Sequence, residues 1–344
     1  TTLVSRHFNN RLKTFSLSFD EASFDEASYQ HELVSCLGTD HQQVRVSNSQ
    51  VLDHFPDVIR HCETPLLRTA PVPMMMLSRL VRNNGFKVVL TGEGADEVFG
   101  GYNIFKEAKV RAYWARQPES RIRPLLLEKL YPYVFANPGR GRSFLQNFYA
   151  VKPEDLQDPF FSHRIRWENG KRNMVFFSDQ LRDDLNSYDP FEDISDQLPA
   201  GFAQKSLLSK VQSLEMGLFM SNYLLSSQGD RVAMANSIEI RLPFLDYRLI
   251  ELASSLPAHW KIRGLNEKSI LKRTYRKQLP DSICKRSKQP YRAPISEAFY
   301  ADRKETYVDE MLSEKRLRQT GLFHEGRVRH LTAKLRRGCG ESLS

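Results

Sequence analysis

The run Lys87-Val88-Val89-Leu90-Thr91-Gly92-Glu93-Gly94-Ala95-Asp96-Glu97-Val98-Phe99-Gly100-Gly101-Tyr102 constrains this chain more than any other stretch. An apolar run is halted by a turn carrying glycines and carboxylates, and helix-compatible residues follow. In a parallel sheet this sets the acids at the carboxyl end of a strand, where open α/β folds place their chemistry. Gly92 and Gly94 are expected to admit positive φ and let a ligand approach the backbone. Glu93, Asp96 and Glu97 are candidates to hold Mg2+, to order a polyphosphate through it, or to move a proton. Taken alone, such a loop is also compatible with a solvated acidic turn.

The residues before it alternate between strand and helix patterns. Thr14 to Phe19 reads as a strand, and Ser23-Phe24-Asp25-Glu26 fits a capping box that opens a helix to about Leu37. Gln43 to Val46 reads as a second strand. Val51, Leu52, Phe55, Val58 and Ile59 then recur at helical spacing behind a cap at Ser47 or Ser49, and Val72 to Val81 gives a further apolar helix. Strands alternating with helices predict an α/β fold with a doubly wound parallel sheet. Beyond Ala95 the pattern is mostly helical, with Leu207 to Leu225 the clearest buried helix. The expected division is an α/β nucleotide-binding part over 1–116, an irregular helical insertion over 117–203, and a helical part over 204–344 that completes the site.

Composition narrows the function classes. With 344 residues, 40% hydrophobic and 26% charged, the chain can bury one large core or two modest ones. No apolar stretch approaches the roughly 20 residues that span a bilayer, and the start lacks a signal-peptide pattern, so a cytoplasmic enzyme without membrane attachment is expected. Cys36, Cys62, Cys284 and Cys339 form no zinc-type spacing and read as reduced thiols. The net charge of +9 gathers in 268–292 and 316–337, with no basic–aromatic alternation and no recognisable nucleic-acid module. These charges read as solvated surface, or as attraction for ATP and its departing pyrophosphate.

A second run sharpens the reading: Gly229-Asp230-Arg231-Val232-Ala233-Met234-Ala235-Asn236-Ser237-Ile238-Glu239-Ile240-Arg241-Leu242-Pro243-Phe244-Leu245-Asp246. Together the two runs resemble the synthetase domain of glutamine-dependent asparagine synthetases, whose patterns are SGEGxDE-F-GGY and DR-x-x-M-x-x-S-x-E-x-R-x-PFLD. The resemblance covers nearly the whole chain. It continues, in family order, through Phe15 to Phe19, Gly38 to His41, Glu63-Thr64-Pro65, Lys268 to Lys272, and Lys288-Gln289-Pro290-Tyr291-Arg292-Ala293-Pro294. It implies an ATP-pyrophosphatase (adenine nucleotide alpha hydrolase-like) fold with a large helical elaboration. The family's SGGxDS phosphate loop and its glutaminase domain with an N-terminal cysteine find no counterpart in these 344 residues. Thr1 to Arg6 resembles the helix that follows that loop, so the chain is expected to be part of a longer protein.

The implied reaction has a clear physical need. A carboxylate is a poor acceptor for ammonia because its leaving group would be oxide. The resemblance implies that aspartate is adenylated with Mg·ATP to β-aspartyl-AMP and pyrophosphate, after which ammonia derived from glutamine attacks. ATP and Mg2+ are therefore the implied cofactors, without a dedicated metal cage, and the assembly it allows is a homodimer. Position by position, Thr91 and Gly92 match the nucleotide-contacting Ser-Gly, and Leu17 the apolar position whose backbone meets adenine. Glu93 matches the carboxylate tied to acyl-AMP formation, Asp96 the acid for substrate or Mg2+, and Lys268 the phosphate-contacting lysine. Asp230, Arg231, Glu239 and Arg241 read as a buried ion-pair network supporting the site from behind, and His41 as a local hydrogen-bonding residue. Two alternatives stand beside this reading: the same fold acting on another carboxylate in a β-lactam, peptide or sugar acid, and a catalytically inactive chain that serves as a binding module.

Overall fold

The computed structural model describes residues 1–8, 11–21, 24–131, 147–286, 288–300 and 306–338. They form two compact units, Thr1–Leu156 with Ser206–Pro294, and Gln157–Lys205 with Ile295–Ser344. The 117–203 stretch is divided between them. Its first part belongs to the first unit, where Tyr131 donates to Glu107 Oε2 at 2.7 Å and Asn103 to the Leu130 carbonyl at 2.9 Å.

The first unit runs α1 Thr2–His7, β1 Lys13–Phe19, α2 Ala27–Leu37, β2 Asp40–Val46, α3 Asn48–Cys62, α4 Pro71–Asn83, β3 Val88–Leu90, α5 Ala95–Phe99 and α6 Asn103–Ala115. It resumes with a helix at Leu207–Leu214 and closes its strands with β4 Glu239–Arg241. The helix starts follow local chemistry. Ser47 caps α3 and Gln50 returns the bond to the cap in a capping box. For α2, the expected cap at Ser23 lies outside the described residues; the helix opens after Glu26 with no side-chain cap and stops at Gly38, φ 62°.

β1 pairs with β2 in parallel from Lys13↔Asp40 to Phe19↔Val46, and β3 with β4 from Val88↔Glu239 to Leu90↔Arg241. Among the described residues no ladder joins β1 to β3, so the expected single doubly wound sheet takes the form of two parallel pairs. β3 is three residues long and one of its two edges is taken by β4: Glu239 N–H donates to the Lys87 carbonyl and Thr91 N–H to that of Arg241. Side chains link the pairs instead. Buried Val81, Ala233 and Ile238 pack with Phe15 from β1, Val89 from β3 and Ile240 from β4. Phe15 meets Phe86 edge-on at 5.6 Å.

β2 begins three residues before the expected Gln43. Its polar start is satisfied across the ladder, where Thr14 Oγ1 and Ser16 Oγ each lie 3.0 Å from a ring nitrogen of His41. Leu207–Leu214 does not continue as an α-helix: Glu215–Asp230 is a sixteen-residue π-helix. Hydrophobic periodicity distinguishes such a widened helix poorly from an α-helix.

The second unit is helical, with Arg164–Lys171, Asp179–Asp184 and Pro190–Asp196 in one part and Ser296–Tyr300, Tyr307–Met311, Glu314–Thr320 and Glu325–Arg336 in the other. Phe160, Trp167 and Phe191 form its aromatic centre, with Arg164 over the Phe191 ring at 4.4 Å. Among the described residues of the whole chain, no helix is long and apolar enough to cross a membrane.

Candidate active site

β3 delivers the acidic loop as its position predicts. Thr91 closes the strand, and its buried Oγ1 has no hydrogen-bond partner among the described residues. Gly92 follows in open space, with nothing to meet an added Cβ. Gly94 alone of the two loop glycines takes positive φ, at 88°, and a Cβ there would lie 2.2 Å from Leu245. Gly92 therefore contributes accessibility and Gly94 the turn.

α5 then presents Asp96. Lys268 Nζ donates to Asp96 Oδ1 at 2.9 Å, and Lys288 Nζ sits 3.1 Å from Oδ2. Burial pushes the Asp96 carboxyl up, but Lys288 and Lys268 outweigh it and hold the group below its usual range. Glu93 differs. Burial raises it, Lys288 opposes, and neighbouring Asp96 adds to the rise. Two carboxylates three residues apart are thus pushed in opposite directions, the pattern that divides acid and base roles. Buried Glu97 accepts from Tyr102 Oη at 2.6 Å, and burial raises its pKa and that of Tyr102. Glu97 is thereby a structural acid at the back of the loop.

Lys268 follows Glu267 directly and adopts φ 47°, a left-handed conformation rarely taken by non-glycine residues. Glu267 holds it there. This carboxylate, 4% exposed, takes Lys106 at 2.9 Å and Lys272 at 2.9 Å, and also accepts the Lys288 backbone N–H at 3.2 Å. One buried acid therefore anchors the segments that carry both lysines. The roles of Glu267 and Lys288 escape a reading of sequence alone, because in a basic stretch nothing marks a partner as distant as Lys106, 161 residues from Glu267; the KQPYRAP motif was the signal for Lys288, and Glu267 had none beyond its place next to Lys268.

The remaining candidates divide. Asp230 lines a small recess together with Thr91, Glu93, Gln228, Gly229 and Leu242, and burial raises its pKa. The four residues expected to form a buried ion-pair network do not form one. Glu239 and Arg241 pair with each other at 2.7 Å while 57% and 62% exposed, because strand alternation turns Ile240 inward and both charges out. Arg231 reaches Glu63 at 3.1 Å and the Cys62 carbonyl. Leu17 lies within β1 paired with Val44, and its carbonyl accepts from Gln30 Nε2 at 3.1 Å. Phe19, at the carboxyl end of the same strand, has its ring 6.4 Å from that of Tyr291 in the Lys288 segment.

Acids and lysines converging at a strand end, beside an unpartnered hydroxyl and an exposed glycine, define an α/β protein with an anion-handling site. The family profile for asparagine synthase matches residues 1–342, and the chain belongs to that family. It is 28% identical over 295 residues to asparagine synthetase [glutamine-hydrolyzing] 1 of Bacillus subtilis, covering 85% of this chain and 44% of that protein. It is 29% identical over 302 residues to a putative asparagine synthetase [glutamine-hydrolyzing] of Mycobacterium bovis, covering 85% and 42%. An amidase, chry2, of Gibberella zeae is 26% identical over 298 residues, covering 82% and 43%. The chain thus spans less than half the length of these curated relatives.

Proposed function

We propose that this chain is the ATP-dependent amidating part of an asparagine synthetase, acting on aspartate with ammonia derived from glutamine. The observation that carries the reading is Asp96 held between Lys268 and Lys288, beside a Glu93 whose burial favours the protonated form. The residues at the root of the loop fit a nucleotide: Thr91 Oγ1 is buried with a hydrogen bond to give, and Gly92 leaves its backbone open. Glu93 and Asp96 are the carboxylates that would hold Mg2+, which supplies charge neutralisation at the phosphates. Held by these two carboxylates, the ion would take its remaining ligands from phosphate oxygens and water.

Within this reading the chain's own groups have distinct tasks. Lys268 offsets charge on phosphate oxygens as the acyl adenylate forms. Glu93, whose carboxyl is raised by burial, takes the proton that ammonium must lose before it can attack. The strand-end loop and the recess behind it keep both steps in one place. A cytoplasmic setting and a doubly wound ATP-pyrophosphatase sheet accompany the reading.

Aspartate-dependent exchange of label between pyrophosphate and ATP tests this in the full-length protein. Exchange should require aspartate, and Glu93→Gln should lower it by about 100-fold or more while the fold is kept. Unaltered exchange in a well-folded Glu93→Gln protein returns Glu93 to a loop-stabilising role. The similarity to an amidase favours a second reading in which another carboxylate is the acceptor. Exchange that ignores aspartate but responds to a different carboxylic acid selects it.

A further inference from the structure

We propose that Gln212 is a positioning residue for the acidic loop, gripping the carboxyl end of α5 while buried Lys261 braces it from behind. The inference rests on the reading of Asp96 and Lys268 as site residues, and it names what sets Asp96 in place. α5 is one short helix, and its last carbonyls lack partners within it. The N–H groups of Gly100 and Gly101 both turn back to the Asp96 carbonyl. The next two carbonyls belong to buried Glu97 and Val98, where an unmade hydrogen bond is costly. Gln212, on the helix Leu207–Leu214, donates from Nε2 to both, at 2.8 Å to that of Val98.

The other side of that amide faces a cation. Lys261, which ends the helix Ala258–Lys261, is 4% exposed, and among the described residues its ammonium has one hydrogen-bond partner, Gln212 Oε1 at 3.1 Å. Burial accordingly pushes the Lys261 amine down. The neighbours force the orientation of the amide: carbonyls only accept and an ammonium only donates, so the NH2 must face α5 and the oxygen Lys261. A side-chain amide serves both partners at once. A carboxylate in its place would serve Lys261 alone, and an apolar side chain neither. The Lys261 segment also leads to the lysine that meets Asp96. Ile262 packs at Gly100, where a Cβ would lie 3.0 Å from its Cγ1, and Lys109 Nζ donates to the Gly264 carbonyl at 2.9 Å. Leu265 and Asn266 then run into Glu267 and Lys268. Gln212 and Lys261 thus tie both partners of the Asp96–Lys268 contact to one buried joint.

The test is made on the full-length protein with Gln212→Glu, which keeps the side chain's length and gives Lys261 a counter-charge but offers the carbonyls no N–H. Hydrogen exchange at the Val98 and Gly101 amides, which bond the Gly94 and Asp96 carbonyls, should quicken by about tenfold or more, with α3 amides unchanged. Aspartate-dependent label exchange between pyrophosphate and ATP should fall by about tenfold or more at saturating ATP while KM for ATP changes less, because a misplaced Asp96 disturbs the reacting geometry more than binding. A general loss of protection, α3 included, would show that Gln212 only supports the fold. Unchanged Val98 and Gly101 amides, or undiminished label exchange, overturns the assignment. No aspartate-dependent label exchange in the unaltered protein overturns the functional reading alone, and the grip on α5 is then decided by the two amides. If Gln212→Glu does not fold, Lys261→Met, which leaves the donors in place and removes the brace, takes its place and is read by the same outcomes.

Discussion

At the scale of single residues the site depends on what is missing at Gly101. A Cβ there would lie 1.8 Å from Asp96 Oδ1 and 2.9 Å from its Cα, so even one methyl collides with the carboxylate that both lysines hold. Gly101 lacks the positive φ of its neighbour Gly100, at 71°, so the cost at 101 is steric rather than torsional. Gly101→Ala should therefore destabilise by about 1–3 kcal/mol in urea unfolding and weaken nucleotide exchange by displacing Asp96. A variant with unchanged stability and exchange would mean that Asp96 can move freely. Lys268→Ala probes the same contact from the other side. If its charge counts most as pyrophosphate separates, kcat falls by about 30-fold to 1,000-fold while KM for ATP rises less. A loss below about threefold would remove Lys268 from the site.

At the scale of elements, the strands and helices that carry strong periodicity were legible and the polar ones were not. β1, β3, α3 and α4 show apolar spacing and, in α3, a Ser47–Gln50 box, each a local signal. The first half of β2 is Asp-His-Gln-Gln, which becomes a strand only because hydroxyls on β1 satisfy it. The acidic loop could be placed from its glycines and its preceding strand. The exposed pairing of Glu239 with Arg241 could not, since charge spacing is silent about which face of a short strand meets the core. Ile240 and Ile238 carry that information, and Ile238 is 1% exposed beneath both strand pairs. Ile238→Ala should cost about 2–5 kcal/mol, and because its neighbours come from β1, β3 and β4, it should loosen the acidic loop as well. Hydrogen exchange at Thr91 and Val89 amides would report this; protection unchanged at both would show that the cluster does not couple the pairs.

At the scale of the whole molecule, the first unit is joined by one buried acid as much as by its apolar core. Glu267 links Lys106 on α6, Lys272 on the helix Ser269–Tyr275 and the backbone of Lys288. Burial pushes its carboxyl up, yet the hydrogen bonds from Lys106 and Lys272 prevail and bring it down to about 2 from 4.5. A folded value below the unfolded one means that the contribution is whole above pH 4.5 and drains away as pH falls toward about 2. The size of that shift corresponds to about 3 kcal/mol of folding stability. Glu267→Gln is neutral at every pH and leaves the buried Lys106 and half-buried Lys272 ammoniums without their anion, so it should be strongly destabilised at pH 7. Its unfolding free energy should also fall less steeply than the unaltered protein's between pH 4.5 and 2, so that the gap between the two narrows by about 3 kcal/mol across that window. Parallel curves for the two proteins over the same range, measured by urea unfolding at each pH, would show that the acid sensitivity of the fold resides in other carboxylates.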